Sequence, residues 1–276
     1  MPRLKVATFN TWNCQGRFDC RQPLMVEGLR ALDADVLLLQ EVFSQAPGGF
    51  DFGRCLAQDL GLHIASVPAR KKLRKFNKTP LLSHSGLAVL AKTPVRPVTT
   101  VPLPEDRHDG ERLGQIARLD WQGLNLVIAN VHLSHLADAD DLRRRQLMAL
   151  LGRVPVGYDL LVLGGDMNMD TAHADLAKLR QDYGFAQAAF GPGAHPQSTL
   201  NPIARVGPHG GVIDHLFVKA AADHRVCAHA RLALDEADPK HGIFPSDHKG
   251  LVAEVLCTFQ PRQGYTHDTT QSERVP

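Results

Sequence analysis

The sequence contains few cysteines, few aromatic residues and no long apolar segment, and each scarcity argues against a class of protein. The five cysteines among 276 residues are scattered and lack the paired spacing of a structural zinc site or a redox dithiol, so we expect reduced thiols. No apolar run approaches the roughly 18 residues that span a bilayer, which argues against a transmembrane segment. Aromatic residues make up only 6% of the chain, so a series of stacking platforms for single-stranded nucleic acid is not expected.

The chain also lacks a marked excess of charge and a recognisable secretory segment. Its 31 basic and 29 acidic residues give a formal net charge of +2, so any preference for a polyanionic partner must be local. The N-terminal residues MPRLKVATFN contain no apolar region of the kind found in secretory signals. We therefore expect an intracellular, cytoplasmic protein.

Short apolar runs alternate with helical patterns along most of the chain. The runs predict buried strands and are LKVATFN, DVLLLQE, SGLAVLAK, LNLVIANVHL, YDLLVLGGD, GVIDHLFV and GLVAEVLCTF. Helical periodicity occurs in PLMVEGLRAL, DADDLRRRQLMALLGRV and ADLAKLRQDYG. Because strands and helices interleave without a linker, we predict one α/β domain over residues 1–260. Residues 261–276 have few apolar side chains and predict a flexible C-terminal tail.

Polar residues stand where the apolar runs stop. The residues that end or closely flank these runs are Asn10, Glu41, His132, Asp166, Asp214, Asp247 and His248. Taken singly, each has an ordinary explanation as a turn former, a cap or one half of a surface salt bridge. Their joint occurrence favours convergence on one cleft, provided that the strand ends share one edge of the sheets.

The local sequences around these residues resemble the endonuclease/exonuclease/phosphatase superfamily. They are TFNTW, LQE, SGLAVL, NVHL, GGDMN, IDHLFV and PSDHKGL, and their motif residues run from residue 10 to residue 248. The superfamily includes deoxyribonuclease-I-like nucleases, abasic-site endonucleases, inositol polyphosphate 5-phosphatases and neutral sphingomyelinases. The resemblance implies a deoxyribonuclease-I-like α/β fold, a four-layer sandwich of two mixed β-sheets flanked by helices, with the active site at one end of the sheets.

Hydrolysis of a phosphate ester requires a cation for the phosphoryl oxygens, a deprotonated water and stabilisation of the departing oxygen. Glu41 with Asn10 is the candidate cation site. Oxygen ligands without cysteine favour Mg²⁺ over zinc, and Mn²⁺ also fits. The resemblance places Asp247 near the same metal.

Asp166 and Asn168 are two residues apart, so in an extended chain both side chains point the same way. The carboxylate can accept a proton from the attacking water while the amide donates hydrogen bonds to water or phosphate. The pair matches the GDxN motif of the superfamily. We expect Gly164 and Gly165 to let the chain leave its buried strand without obstruction.

Two histidines complete the candidate catalytic set. His248 is a candidate acid or base, and the resemblance makes Asp214 its orienting carboxylate; as an imidazolium, His248 could bind phosphoryl oxygens instead. His132 matches a position where the superfamily carries a phosphate-binding or leaving-group residue. Abasic-site endonucleases usually carry tyrosine there, which disfavours that branch.

The segment ARKKLRKFNK, from Ala69 to Lys78, contains six cations and no acid. It is either a solvated loop or a docking site for a phosphate-rich substrate, and both interpretations stay open. The loops RHDGERLGQ and FGPGAHPQSTLNP, which contains Thr199, are expected to influence substrate choice.

The sequence therefore predicts a Mg²⁺-dependent phosphodiesterase that hydrolyses nucleic acid or another phosphodiester by in-line attack of water. The alternatives are a phosphomonoesterase, a sphingomyelinase-like lipid phosphodiesterase and a non-catalytic binding module. The last predicts losses among the candidate residues, and none is missing. The physiological substrate and the oligomeric state are left open.

Overall fold

The structure is a computed structural model that describes residues 3–46, 48–96, 99–194, 196–204, 211–221 and 224–259. Within these ranges the helices are α1 Phe18–Leu32, α2 Phe52–Leu60, α3 Asp140–Leu151 and α4 Ala174–Gln181. The strands are β1 Arg3–Asn10, β2 Val36–Gln45, β3 His63–Val67, β4 Lys72–Phe76, β5 Thr79–Ala91, β6 Thr99–Pro102, β7 Leu113–Trp121, β8 Leu124–His132, β9 Leu160–Asp166, β10 Ala186–Gln187, β11 Ala189–Phe190, β12 Asp214–Ala220, β13 His224–Ala233 and β14 Gly250–Phe259.

The described strands form two mixed sheets. The first has eight strands in the order β11-β13-β14-β1-β2-β5-β3, with β4 paired to β5. The second has six strands in the order β10-β12-β9-β8-β7-β6. The pairs β1–β2 and β8–β9 are parallel, whereas β1–β14 and β9–β12 are antiparallel.

The sheets pack face to face and helices cover both outer faces. Aliphatic side chains from alternate strand positions, such as Leu38, Ile128 and Val162, fill the space between the sheets. Helices α1 and α2 pack on the outer face of the first sheet against residues that include Phe9, and α3 and α4 cover the second sheet through residues that include Leu147. The predicted four-layer α/β sandwich of two mixed sheets is therefore confirmed.

The composition of the layer between the sheets changes along the strands. At one end it is aliphatic, and beyond that a polar network joins the two sheets: Gln40 donates to Asn130 at 2.8 Å, and Asn130 donates to Gln115 at 3.1 Å. Gln40 also donates to Thr8 at 3.0 Å. These buried groups satisfy one another, so they fix how the sheets sit together next to the strand ends that carry the candidate residues.

Three predicted features differ from the structure. Strand β2 continues past Glu41 to Gln45, and β12 begins at Asp214 and not at the start of the run GVIDHLFV. Because β12 is antiparallel to β9, its first residue still lies at the same edge as the last residue of β9. Helix α2 was not expected; Asp51 caps it by accepting from the Arg54 amide, and Gly61 ends it with a left-handed φ of 66°.

Several smaller predictions can also be compared with the structure. The tail predicted for residues 261–276 lies outside the described residues. All five cysteines are free thiols, in agreement with the prediction. None of the helices in the described ranges is long and apolar enough to cross a membrane.

Candidate active site

Asp166 lies at the centre of the candidate site because of its place in the second sheet. It is the last residue of β9 and is paired with His132 of parallel β8 on one side and Asp214 of antiparallel β12 on the other. The register therefore places three candidate residues side by side at one sheet edge. Gly165 permits the close pairing: its φ is +139°, and a Cβ atom there would lie 1.9 Å from the Val131 carbonyl oxygen.

The Asp166 carboxylate is buried and faces the first sheet. Its Oδ2 accepts a hydrogen bond from Asn10 Nδ2 at 3.0 Å, across the space between the two sheets. The same oxygen lies 3.4 Å from His132 Nε2 and 3.6 Å from His248 Nε2. One carboxylate oxygen is thus close to a neutral amide and two imidazoles.

His248 and Asp214 form a buried dyad behind this carboxylate. His248 Nδ1 lies 2.9 Å from Asp214 Oδ2, so Nε2 remains directed toward Asp166. The loop residue Thr199 supports Asp214, because its Oγ1 accepts hydrogen bonds from the Ile213 amide at 3.1 Å and the Asp214 amide at 3.2 Å. The sequence singled out Thr199 without a role, and the structure makes it a support of the dyad.

Burial and neighbouring charges separate the protonation states of the three central groups. Burial raises the pKa of Asp166 to about 7, although the charge of His248 acts in the opposite direction. Burial alone would lower the pKa of His248, but Asp214 and Asp166 outweigh it and raise that pKa to about 10. Burial and the charge of Arg112 lower the pKa of His132 well below its ordinary value. At neutral pH, His248 is therefore the charged imidazole and His132 the neutral one.

Glu41 reaches the cleft through an irregularity in β2. The register with β5 shifts between Leu39 and Val42, and Glu41 has a left-handed φ of 52°. A regular strand would have placed Glu41 on the helix side, because the even-numbered residues of β2 face the other sheet; the bulge re-aims it. Asn13 Nδ2 donates to Glu41 Oε2 at 2.5 Å and holds the carboxylate in place.

Asp247 provides a second carboxylate on the same side of the cleft. Burial raises the pKa of Asp247 to about 6, and the nearby charge of Glu41 adds to the increase while His248 opposes it. Glu41 and Asp247 together offer carboxylate oxygens, the ligands that a hard divalent cation prefers, so these residues fit the predicted metal. The Asn10 amide oxygen accepts from the Trp12 amide at 3.0 Å and keeps a second lone pair.

Another set of ligand atoms, from Asp166, Asp214 and His248, lies within 4.8 Å of one another. This set is a poorer match for a cation. His248 Nδ1 is already bonded to Asp214, and a protonated imidazole has no free lone pair to donate to a metal.

Asn168 lies in the cleft for a different reason from the one predicted. The strand ends at Asp166, and Asn168 has a left-handed φ of 50°, so the expected extended alternation is wrong. The turn directs the Asn168 amide N–H to Asp166 Oδ1 at 3.1 Å, and its side-chain Nδ2 donates to the Leu133 carbonyl at 3.1 Å. Asp170 serves as a turn residue, accepting from the Ala172 amide at 3.1 Å.

The cleft has a volume of about 610 Å³, and six of the eight candidate residues line it: Glu41, His132, Asp166, Asn168, Asp247 and His248. Asn10 and Asp214 are outside this lining, but they contact Asp166 and His248 directly. The structure thus brings all eight together at one end of the sheets.

Sequence reasoning missed a buried ion-pair cluster on the cleft wall. Arg112 Nε and Nη2 donate to both Asp109 oxygens at 2.9 and 2.7 Å, and Arg112 Nη1 donates to the His132 carbonyl at 3.4 Å. Arg70 and His135 contact the same carboxylate at 3.5 and 2.9 Å. The loop sequence RHDGERLGQ carries charges typical of any exposed loop, so no sequence signal distinguished these residues.

The basic segment is also part of the cleft. Residues 72–76 form strand β4, which pairs with β5 to form a hairpin, so this stretch is not a loop, although most side chains of the segment are exposed. The hairpin residues Lys72 and Arg74 line the cleft together with Arg70.

Comparisons with known proteins agree with this architecture. A family model described as the Endonuclease/Exonuclease/phosphatase family matches residues 10–248. No curated protein sequence gives a significant match.

Solved structures with the same fold include an endonuclease/exonuclease/phosphatase from Beutenbergia cavernae DSM 12333, with 24% identity over 92% of this chain and 71% of that chain and a TM-score of 0.72. A truncated Caenorhabditis elegans TDP2 is 18% identical over 92% of this chain and 97% of that chain, with a TM-score of 0.65. A mannosyl-6-phosphatase from Bacteroides thetaiotaomicron VPI-5482 is 16% identical over 92% of this chain and 99% of that chain, with a TM-score of 0.63.

These structural similarities establish the fold, and the family match extends over most of the chain, from the end of β1 to the residues just before β14. The chain belongs to the endonuclease/exonuclease/phosphatase family, whose members are phosphoesterase hydrolases.

Proposed function

We propose that the protein is a divalent-metal-dependent phosphodiesterase that hydrolyses its substrate by in-line attack of water. The observation that carries the proposal is the environment of Asp166: its Oδ2 lies 3.0 Å from Asn10 Nδ2, 3.4 Å from His132 Nε2 and 3.6 Å from His248 Nε2. A buried carboxylate among these groups, open to a cleft, is suited to proton transfer.

Asp166 is the proposed general base. A pKa of about 7, raised by burial, is close to the working pH and therefore suits a group that takes a proton from water. The hydrogen bond from Asn10 fixes one oxygen, and the backbone N–H of Asn168 fixes the other at 3.1 Å. Both contacts hold the carboxylate in one orientation toward the cleft.

The two histidines supply hydrogen bonds to the phosphoryl group. His248 is charged, and its Nε2–H is the proposed donor to a phosphoryl oxygen as negative charge increases. Asp214 orients the ring through Nδ1 and stabilises the imidazolium. Neutral His132 is placed beside the same carboxylate, where it can donate to a phosphoryl oxygen or to the departing oxygen.

Glu41, Asp247 and Asn10 are the proposed holders of Mg²⁺, or of Mn²⁺, which prefers similar oxygen ligands. When bound there, the cation supplies charge neutralisation at the phosphoryl oxygens. All other functions in the proposal belong to side chains of this chain.

Glu41→Gln is expected to weaken Mg²⁺ binding by about tenfold or more, because a neutral amide replaces a charged oxygen ligand. Isothermal titration calorimetry with MgCl₂ measures the change. Glu27→Gln on the exposed face of α1 removes the same charge away from the cleft and serves as the matched control. Equal Mg²⁺ affinity in the Glu41 variant and the wild type would remove Glu41 from the proposed ligand set.

A phosphomonoesterase is the second candidate, and similarity in fold to the Bacteroides mannosyl-6-phosphatase supports it. Hydrolysis of bis(p-nitrophenyl) phosphate but not p-nitrophenyl phosphate in the presence of Mg²⁺ is expected from the leading proposal. The reverse preference would favour the monoesterase. A parallel assay of plasmid DNA, RNA, sphingomyelin and phosphoinositides then identifies the natural class of ester.

A further inference from the structure

The β4–β5 hairpin forms one wall of the cleft and carries cations that the proposed hydrolysis does not use. Arg70, Lys72 and Arg74 line the same cleft as His132 and Asp166. Among the described residues, five lysines and arginines but only three carboxylates line this cleft. All three carboxylates, Glu41, Asp166 and Asp247, already have roles in the proposed chemistry.

Two of these cations are fixed in position. The Arg70 backbone N–H donates to Glu111 Oε2 at 2.7 Å, and its guanidinium donates to the Asp109 carbonyl at 2.8 Å. Arg70 has a left-handed φ of 50°, an uncommon conformation that these contacts stabilise. Arg74 donates across the hairpin to the Ser83 carbonyl at 2.9 Å and to the Arg70 carbonyl at 3.1 Å.

Lys72 lies between these two arginines in the sequence, and its contacts differ from theirs. It is exposed, and among the contacts of the described residues its ammonium has no hydrogen bond or ion pair. Partial burial and the charges of Arg70 and Arg74 lower the pKa of Lys72 and outweigh the opposite effect of the Glu41 carboxylate. Two fixed arginines and a lysine that line the same cleft are a suitable site for an anion.

The carboxylates near this wall do not cancel its charge. Asp109 is shared by Arg112, Arg70 and His135, and Glu111 bonds to the Arg70 backbone and not to its guanidinium. Arg112 connects the wall to the catalytic end through the His132 carbonyl. Glu41 is the lining carboxylate whose charge acts on Arg70, Lys72 and Arg74, and it is already assigned to the proposed metal.

We propose that Arg70, Lys72 and Arg74 form a second phosphate subsite, which holds a non-scissile phosphate of the substrate beside the phosphate that is hydrolysed. The inference rests on the proposed phosphoesterase function and narrows its substrate class to molecules that carry at least two covalently linked phosphates. A nucleic-acid strand and a small bisphosphorylated molecule share this chemistry.

Binding is tested apart from turnover, by calorimetry without added divalent cation. The probes are thymidine 3′,5′-bisphosphate and thymidine 5′-phosphate. The wild type is expected to prefer the bisphosphate by about tenfold, the effect of one charged hydrogen bond, and Lys72→Gln is expected to lose this preference. Lys72→Arg should retain it. Because the Lys72 ammonium has no hydrogen-bond or ion-pair partner among the described residues, its removal is not expected to disturb folding.

Lys71→Gln is the matched control, because it removes the same charge from a neighbouring residue that is not part of the cleft lining and acts on His84 instead. Equal affinity of the wild type for the two probes, or a preference that survives Lys72→Gln, would overturn the subsite.

Hydrolysis gives an independent test. Thymidine 5′-(p-nitrophenyl phosphate) is assayed with and without a 3′-phosphate, and the ratio of the two kcat/KM values is compared between the wild type, Lys72→Gln and Lys71→Gln. Loss of the preference for the 3′-phosphorylated ester in Lys72→Gln, but not in Lys71→Gln, supports the subsite. If the wild type hydrolyses neither ester, the proposed function fails while the binding measurement still decides the subsite.

The source of the second phosphate follows from a competition experiment with the oligonucleotide octathymidylate. Lys72-dependent displacement of the bisphosphate by octathymidylate assigns the subsite to a strand. Binding of the bisphosphate without such displacement assigns the subsite to a small molecule. In both outcomes, binding of the bisphosphate depends on Arg70, Lys72 and Arg74.

Discussion

Asp166→Asn is expected to lower kcat by about a thousandfold, the size of a general-base contribution, without lowering the thermal unfolding midpoint. The amide cannot accept the proton of the attacking water, so the effect falls on kcat more than on KM. Its single oxygen can still accept one of the two hydrogen bonds that come from Asn10 and the Asn168 amide, and the fold no longer has to bury a carboxylate. Steady-state kinetics on a phosphodiester with Mg²⁺ and a thermal scan measure the two quantities.

Asp170→Asn is the matched control for this variant. Asp170 lies four residues further along, forms a turn with the Ala172 amide, and an asparagine keeps that turn. Its kcat should equal that of the wild type. Undiminished metal-dependent activity in the Asp166 variant would contradict the assignment of the base.

Asp109→Asn is expected to lower the free energy of unfolding by about 3 kcal/mol, because it removes one partner of a buried ion pair. The side chains of Arg112 and Asp109 are 2% and 0% exposed, and both guanidinium–carboxylate contacts are shorter than 3.0 Å. The variant leaves the buried Arg112 guanidinium without its charged partner. Urea unfolding at pH 7 measures the loss, and Glu105→Gln, an exposed change in the same loop, should unfold like the wild type.

The Arg112–Asp109 pair also predicts how the difference in unfolding free energy between the wild type and Asp109→Asn changes with pH. Burial opposes ionisation of Asp109, but hydrogen bonds from His135 and Arg112 outweigh it and hold the pKa of this carboxyl well below its usual range. A carboxyl with a depressed pKa in the folded state contributes its full stability above its unfolded pKa of about 4, and that contribution decreases as the pH falls further. The difference between wild type and Asp109→Asn should therefore narrow between pH 7 and pH 3. A difference in unfolding free energy that stays constant from pH 7 to pH 3 would contradict an ionic origin of the stabilisation by Asp109.

Much of the candidate site could be predicted because strand ends are local features. Apolar runs that stop at Asn10, His132 and Asp166 end as strands at those residues. Period-2 alternation then decides which side chains face the other sheet, and short-range sequence carries that information. The boundaries of β2 and β12 were wrong because pairing with neighbouring strands, and not their own composition, sets where these strands continue.

The positions of Glu41 and Asn168 could not be predicted in the same way. Each has a left-handed φ, at 52° and 50°, and each is held by a partner distant in sequence: Asn13 bonds to Glu41, and the Leu133 carbonyl accepts from Asn168. A sequence pattern assumes regular backbone, whereas a bulge or a turn depends on what the neighbouring chain offers.

The sequence by itself determined the α/β class, the alternation that buries one face of each strand, and the candidate residues at the strand ends. Only the tertiary structure decided that Asp166 lies between His132 and Asp214, that Arg112 and Asp109 form a buried pair, and that the basic segment is a hairpin on the cleft wall. The physical reason is that propensity and periodicity act over a few residues, whereas strand register and the burial of charge depend on contacts between segments far apart in the chain.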